Sequence, residues 1–390
     1  MTLELHCSSC GWSLLVPNGT PVSALRGDCP ECNGLAQVRA TVIAELMDGS
    51  LDLPSTPAGF DFLPSNKSRE VIEDLDYAES PDPAEDLRTI SGFVNRITPV
   101  ILATQVLAEM MEQGISLDGG SVADRFANTS VSYRKVLRGI EDSNGLGRGM
   151  RLSDGFPEDD EKSIRRFTKA YLGADSSGDI TEGSGLTQKL GLVALEYKEE
   201  GTPDSVSVRL TEASKSTLDI QIFQDPELET EKHRAAGAGQ VTLPRWLSRD
   251  DVGIILKLIQ ERSNAEHSWM RELLNWINAS YEGRTTSQLI DLEIEREIAT
   301  NTTKRWFNRD STDPLVDEMA AGGSSDEEIR EKLHKKIYST MSGTLARMKE
   351  LSLIFQFKRG RQSYYKSTKS GNQWVKRWDI SSREESNTRY

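Results

Sequence analysis

The chain has 390 residues, a formal net charge of −14 and a sequence pI of about 5.0, so most of its surface should repel polyanions such as nucleic acids. Hydrophobic residues make up 36% of the chain, the mean hydropathy is −0.50, and no apolar run reaches the length of a membrane span. The N-terminus carries no basic segment followed by an apolar one. These features exclude a membrane partner and predict a cytoplasmic protein of about two to four domains.

All the cysteines lie in the first 32 residues, as the CxxC pairs Cys7/Cys10 and Cys29/Cys32. Four thiolates complete a tetrahedral zinc shell, so the spacing predicts a structural Zn²⁺ bound by these four residues. The alternatives are disulfides, which the missing signal peptide disfavours, and a redox pair, which should stand between a strand and a helix.

With its CSSCGW, SLLV and CPECNG segments, the stretch from Leu3 to Val38 resembles a rubredoxin-like zinc ribbon. The resemblance implies a module that docks on nucleic acid or on protein. Residues 1–40 are poor in cations, so we expect this ribbon to bind a protein partner and not to be the main reader of nucleic acid.

Residues 41–86 contain five prolines and an acidic run, which predicts a linker. Apolar residues at helical spacing then predict a helix from Ile97 to Met110, ended by Gly114. A short helix over 121–126, a turn at Asn128 and Thr129, and a helix over 131–141 would form a helix-turn-helix. Four residues of the second helix are predicted as secondary contacts to nucleic acid or a protein partner: Tyr133, Arg134, Lys135 and Arg138.

The segment SIRRFTKAYLGA predicts a basic amphipathic helix, and residues 192–197 and 206–210 predict two strands. The LGLV segment before this hairpin and LTEA after it resemble the winged-helix domains of archaeal and bacterial regulators. The sequence leaves open whether residues 87–214 form one elaborated unit or two small ones.

Residues 215–246 are polar and predict a second linker before a C-terminal winged-helix domain at 247–378 and a tail at 379–390. Ser248 and Asp251 have the spacing of a capping box. Further helices are expected at 269–277, 286–299 and 341–351, the last being of the recognition type, with strands at 353–357 and 363–367 around the basic turn KRGRQ.

The charge is distributed unevenly along the chain. From Glu331 to Arg377, twelve Lys and Arg face two acidic residues, a net charge of +10, which leaves −24 for the remainder. A basic hairpin beside a recognition-type helix can contact phosphates and groove edges of duplex DNA. The predicted nucleic-acid contacts are Thr344, Arg347, Lys349, Lys358, Arg359, Arg361, Tyr364, Lys366 and Lys369.

No catalytic set stands out. The four histidines have no acid–base or metal spacing, and GLGRGM at 145–150 follows a predicted helix and not the strand that a phosphate loop requires. The sequence therefore predicts a non-enzymatic, mainly α protein with small β structure: a zinc ribbon followed by tandem winged-helix domains, similar to prokaryotic and archaeal DNA-binding regulators. The expected function is transcriptional regulation, DNA maintenance or defence. The alternative is a scaffold subunit that uses the same modules for protein docking, and homodimerisation stays open.

Overall fold

The structure is a computed structural model that describes the backbone of residues 3–7, 13–16, 27–28 and 35–40 and, with gaps, residues 72–377. The chain divides into two compact units, Met1–Phe60 and Asp61–Tyr390. The gaps in the second unit are 74, 82–88, 91–93, 148–149, 176–177, 198–205, 221–229, 236–238 and 300–325.

The first unit contains an antiparallel four-stranded sheet in the order β2-β1-β4-β3. In the central pair, Leu3 lies opposite Ala40 and Cys7 opposite Ala36. The side chain of Cys7 and the whole of Cys10, Cys29 and Cys32 lie outside the described residues, so the zinc site stays a prediction. The strands are β1 (Leu3–Cys7), β2 (Ser13–Val16, the predicted SLLV strand), β3 (Gly27–Asp28) and β4 (Leu35–Ala40).

The second unit is mainly helical with small antiparallel hairpins. The predicted class of a mainly α protein with small β structure is therefore confirmed. Its helices include α1 (Thr98–Glu112), α2 (Gly119–Ser143), α3 (Glu161–Tyr171), α4 (Leu186–Lys189), α5 (Lys215–Leu218), α6 (Arg249–Arg262), α7 (Asn264–Asn278), α8 (Thr286–Ala299) and α9 (Asp326–Glu350). Residues 369–377 are also helical. Its described hairpins pair β5 (Val193–Tyr197) with β6 (Val206–Leu210), β7 (Thr230–Ala235) with β8 (Gly239–Pro244), and β9 (Ile354–Arg359) with β10 (Gln362–Ser367).

Helix α1 lies at the centre of the second unit, because every residue from Thr98 to Ala108 is buried. Its predicted end is confirmed, since Gly114 follows with a φ of 65° that glycine adopts without a Cβ clash. One hydrophobic cluster runs from Ile72 to Val375 and draws side chains from both regions that were predicted as winged-helix domains. The domain boundaries themselves stay a prediction.

The second unit contains the same helix–hairpin arrangement twice. In the first module (residues 98–210), Asp118 precedes α2 and forms an antiparallel bridge with Ser207 in the second hairpin strand. In the second module (residues 264–377), Arg284 precedes α8 and bridges Tyr365 in β10 in the same way. Each hairpin therefore gains a single-residue third strand next to its second strand.

The predicted helix-turn-helix at 121–141 is wrong, because α2 runs unbroken through Asn128 and Thr129. Asn and Thr have a low helix propensity, but each such residue destabilises a helix by only a few tenths of a kcal/mol. Burial of Thr129, Ser130 and Val131 against neighbouring elements outweighs that cost.

The second predicted linker, 215–246, is also structured in part, since it contains α5 and the β7–β8 hairpin. The imidazole of His233 stacks on Phe355 at 4.9 Å between ring centroids. Val241 and Leu243 pack against the small apolar cluster that Phe355 forms with Phe357. This hairpin therefore covers one side of β9.

The end of the first predicted linker also joins the core. Ile72 is buried, and the backbone N–H of Ala78 donates to the carbonyl of Leu210 at 2.8 Å. Residues 41–71 lie outside the described part of the chain.

Candidate nucleic-acid interface

The β9–β10 hairpin ends in a two-residue turn at Gly360 and Arg361, because Arg359 pairs directly with Gln362. Gly360 has a φ of 63°, which favours glycine in tight hairpin turns. The predicted KRGRQ turn is therefore confirmed as a hairpin tip. Its three cations are exposed, and we call them the basic tip: Lys358, Arg359 and Arg361.

The charge of the basic tip is only partly neutralised within the protein. Arg359 lies 3.1 Å from the carboxylate of Glu282, and both side chains are well exposed. Such surface pairs contribute at most about 1 kcal/mol. Within the described residues, no carboxylate forms an ion pair with Lys358 or Arg361.

An exposed tyrosine lies beside this hairpin. Tyr281 is 83% exposed, and the ammonium of Lys366 lies 5.1 Å from its ring centroid. The same ammonium donates to the Tyr281 carbonyl at 3.3 Å. Tyr281 is not among the contacts predicted from the sequence, since it lies 77 or more residues before the basic tip and the two segments meet through tertiary contacts such as the Arg284–Tyr365 bridge.

Tyr364 is half-buried and stacks on Phe357 at 5.7 Å, so one face of its ring is covered by the protein. Lys369 is exposed at the start of the C-terminal helical turns. Tyr364 therefore lies in the hairpin close to the basic tip, whereas Lys369 follows Ser367 at the opposite end of the hairpin.

Two predicted contacts on α9 are placed in the core and need correction. Arg347 and Thr344 are completely buried, so neither can reach a ligand on the surface. The guanidinium of Arg347 donates to Glu266 at 2.7 and 3.0 Å, to Thr344 Oγ1 at 3.0 Å and to the carbonyls of Ile90 and Val94. All three of its nitrogens therefore donate to partners inside the protein.

Lys349 also faces inward. Its ammonium donates to Gln356 at 3.0 Å, and burial, together with the nearby Arg96, lowers the pKa of Lys349 to about 8. It lines a cavity with Arg96 and His233 between α9, β9 and the β7–β8 hairpin. The exposed part of α9 is instead its first half, where Lys332, Lys335 and Tyr338 reach the surface.

The four predicted secondary contacts on α2 are mostly engaged within the protein. Tyr133 is buried. The three cations form ion pairs with the segment that follows α2: Arg134 with Glu158 at 2.8 Å, Lys135 with Asp159 at 2.9 Å and Arg138 with Asp154 at 3.4 Å. Arg134 also donates to the backbone carbonyls of Ser153 and Phe156. This set therefore fastens residues 153–159 to α2.

No family model, curated protein or solved structure matches this chain. Among the residues with described side chains, no group of three or more His, Cys, Asp or Glu is placed to hold a metal ion. No helix in the described part of the chain combines the length and apolarity needed to cross a bilayer.

Proposed function

We propose that the chain is a DNA-binding protein, of the transcription-regulation, DNA-maintenance or defence class, that acts in the cytoplasm and binds duplex DNA through its second module. The observation that carries the proposal is the exposed basic tip next to Lys366 and the exposed Tyr281, in a protein whose net charge is −14. An acidic body repels DNA except where such a surface faces it.

We further propose that both modules are winged helices. The proposal is supported by the repeated order of a helix, a bridging residue, two or more further helices and a hairpin, with the bridge in both modules to the second hairpin strand. In such a domain the hairpin lies against the DNA backbone or minor groove, and the helix before it approaches the major groove. In this chain the contacting part of α9 would be its exposed first half around Lys332 and Lys335.

The basic tip and Lys366 would act chiefly through phosphate charge. Four phosphate contacts correspond to a slope of about −3 to −4 in a plot of log K against log salt concentration. Affinity should accordingly fall roughly a hundredfold between about 50 and 200 mM salt. Tyr281 adds an aromatic face that can stack on a sugar or an unpaired base.

We also propose that residues 1–40 form a zinc ribbon held by Cys7, Cys10, Cys29 and Cys32, and that it docks on a protein. Support comes from the two CxxC pairs and from the short antiparallel strands that surround them in sequence.

The test is a mobility-shift titration of the full chain with duplex DNA, comparing wild type with the triple variant Lys358→Glu/Arg359→Glu/Arg361→Glu. Binding should be abolished in the variant, because three phosphate contacts become repulsive. A matched control applies the same charge change to three cations that are ion-paired elsewhere on the surface: Arg125, Lys215 and Lys257.

The control variant should bind as wild type does, apart from a small effect of net charge. Equal binding by the tip variant and the control would show that the basic tip is not the contact surface. If wild-type protein fails to bind duplex DNA at low salt, the DNA proposal is wrong and the scaffold alternative gains support.

A further inference from the structure

Helix α3 in the first module carries a second group of exposed cations that the predicted contact set did not include. They lie at spacings of three and four residues, so they share one face of the helix. All four are exposed, and we call them the cationic stripe: Lys162, Arg165, Arg166 and Lys169.

The other face of α3 is fixed in the core. Phe167 and Tyr171 are buried, and Phe167 stacks on Phe126 at 5.0 Å between ring centroids. The hydroxyl of Tyr171 donates to the carbonyl of Arg96 at 3.1 Å. The cationic stripe is therefore presented on a rigid support, with little freedom to turn inward and find a partner.

The acidic residues just before α3 are engaged elsewhere and do not neutralise the stripe. Glu158 pairs with Arg134 and Asp159 with Lys135. The carboxylate of Asp160 caps the helix by accepting from the backbone N–H of Ser163 at 2.9 Å. Among the described residues, none forms an ion pair with any cation of the stripe.

This arrangement has an unfavourable energy in the free protein. Like charges three and four residues apart on a helix repel one another, and Lys162 lies in the first turn, where the helix dipole disfavours a cation. Glu161 in the same turn offsets part of this, but one carboxylate does not balance four cations. A ligand carrying regularly spaced negative charge removes both penalties. The stripe spans about 10 Å along the helix axis, a length over which duplex DNA presents several phosphates.

We propose that the cationic stripe of α3 is a second binding site for the phosphate backbone of the duplex that the basic tip contacts, so that the DNA spans both modules. This inference rests on the proposed function, but it concerns a different surface and can fail by itself. The stripe offers long, exposed side chains and no base-reading geometry, so its contribution should be independent of DNA sequence.

The experiment measures Kd of the full chain for a duplex long enough to reach both modules, at several salt concentrations. The stripe variant is Arg165→Gln/Arg166→Gln/Lys169→Gln, and the matched control is Arg125→Gln/Lys215→Gln/Lys257→Gln, which changes the net charge by the same amount. Thermal melting checks that both variants keep the wild-type fold.

For the stripe variant we expect the slope of log K against log salt to become shallower by about 2 to 3, with affinity at low salt reduced at least tenfold. The loss should be equal for duplexes of unrelated sequence. A slope and affinity matching those of the control would overturn the proposal, provided that wild type binds and the tip variant does not. Absence of binding by wild type would instead overturn the proposed function together with this inference.

Discussion

Replacing Arg347 by Met should strongly destabilise the second unit, because it removes the cation that is paired with the buried carboxylate of Glu266. Both side chains are completely buried, and Glu266 also accepts the backbone N–H of Ile90 at 3.0 Å. Leaving one partner of such a pair uncompensated costs about 3–5 kcal/mol. The carbonyls of Ile90 and Val94 lose their donor as well.

A cost of that size lowers the folding equilibrium constant by roughly a hundredfold to a few thousandfold. Urea unfolding followed by circular dichroism and tryptophan fluorescence measures it directly. The matched control is Arg330→Met on the same helix, since Arg330 pairs with Glu295 at 2.7 Å while both side chains are exposed. Loss of that pair should cost at most about 1 kcal/mol.

The double variant Arg347→Met/Glu266→Gln separates charge from packing. The amide that replaces the carboxylate is neutral and can still accept from the backbone N–H of Ile90, so the double variant should recover a large part of the loss. If Arg347→Met is no more destabilising than Arg330→Met, the buried pair does not hold the unit together as described. If the double variant is no more stable than Arg347→Met, the uncompensated charge is not the cause.

Three further predictions concern the zinc site, pH and backbone packing. A zinc chelator should unfold residues 1–40, seen as loss of bound zinc and rapid amide exchange there, while duplex binding by the second unit is retained; loss of binding would contradict this. Burial, with Arg271 nearby, lowers the pKa of His267 to about 4. The unfolded chain therefore binds this proton at a higher pH than the folded one, so stability should decrease by up to about 3 kcal/mol as pH falls from about 6.5 to about 4. His267→Gln should remove that part of the pH dependence in urea titrations, and an unchanged profile would refute the assignment. Gly371→Ala should cost about 1–3 kcal/mol in the same assay, because the new Cβ would overlap the carbonyl oxygen of Leu353; a neutral effect would show that this backbone approach is not tight.

Local sequence signals predicted the local structure well. The capping box is present, with Ser248 accepting from Asp251 N–H and Asp251 from Ser248 N–H. The predicted bounds of α8 coincide with Thr286–Ala299, and the basic turn forms the expected hairpin. Each of these features depends on residues within a few positions of one another, where spacing carries the physical information.

The misplaced features depend on partners that are distant in sequence. Arg347 has the residue type and helix position of a DNA contact, and only its pairing with Glu266, 81 residues away, places it in the core. Tyr281 and the basic tip meet through a bridge between Arg284 and Tyr365, across a similar distance. Burial and surface proximity of this kind arise from tertiary packing and leave no periodic pattern in the chain.

The contact between Glu350 and the start of α1 limits which truncated fragments of this protein can fold. The carboxylate of Glu350, at the end of α9, accepts the backbone N–H groups of Ile97 and Thr98 at 2.7 and 2.8 Å, more than 250 residues away. A fragment that begins near residue 245 would keep Glu350 but lose the backbone N–H groups that it accepts, and Arg347 would lose its carbonyl acceptors at Ile90 and Val94. The fragment would also expose the apolar surface that faces α1. Loss of DNA binding in such a fragment would therefore report misfolding, and dissection of the two binding surfaces requires point substitutions in residues 72–377 kept as one piece.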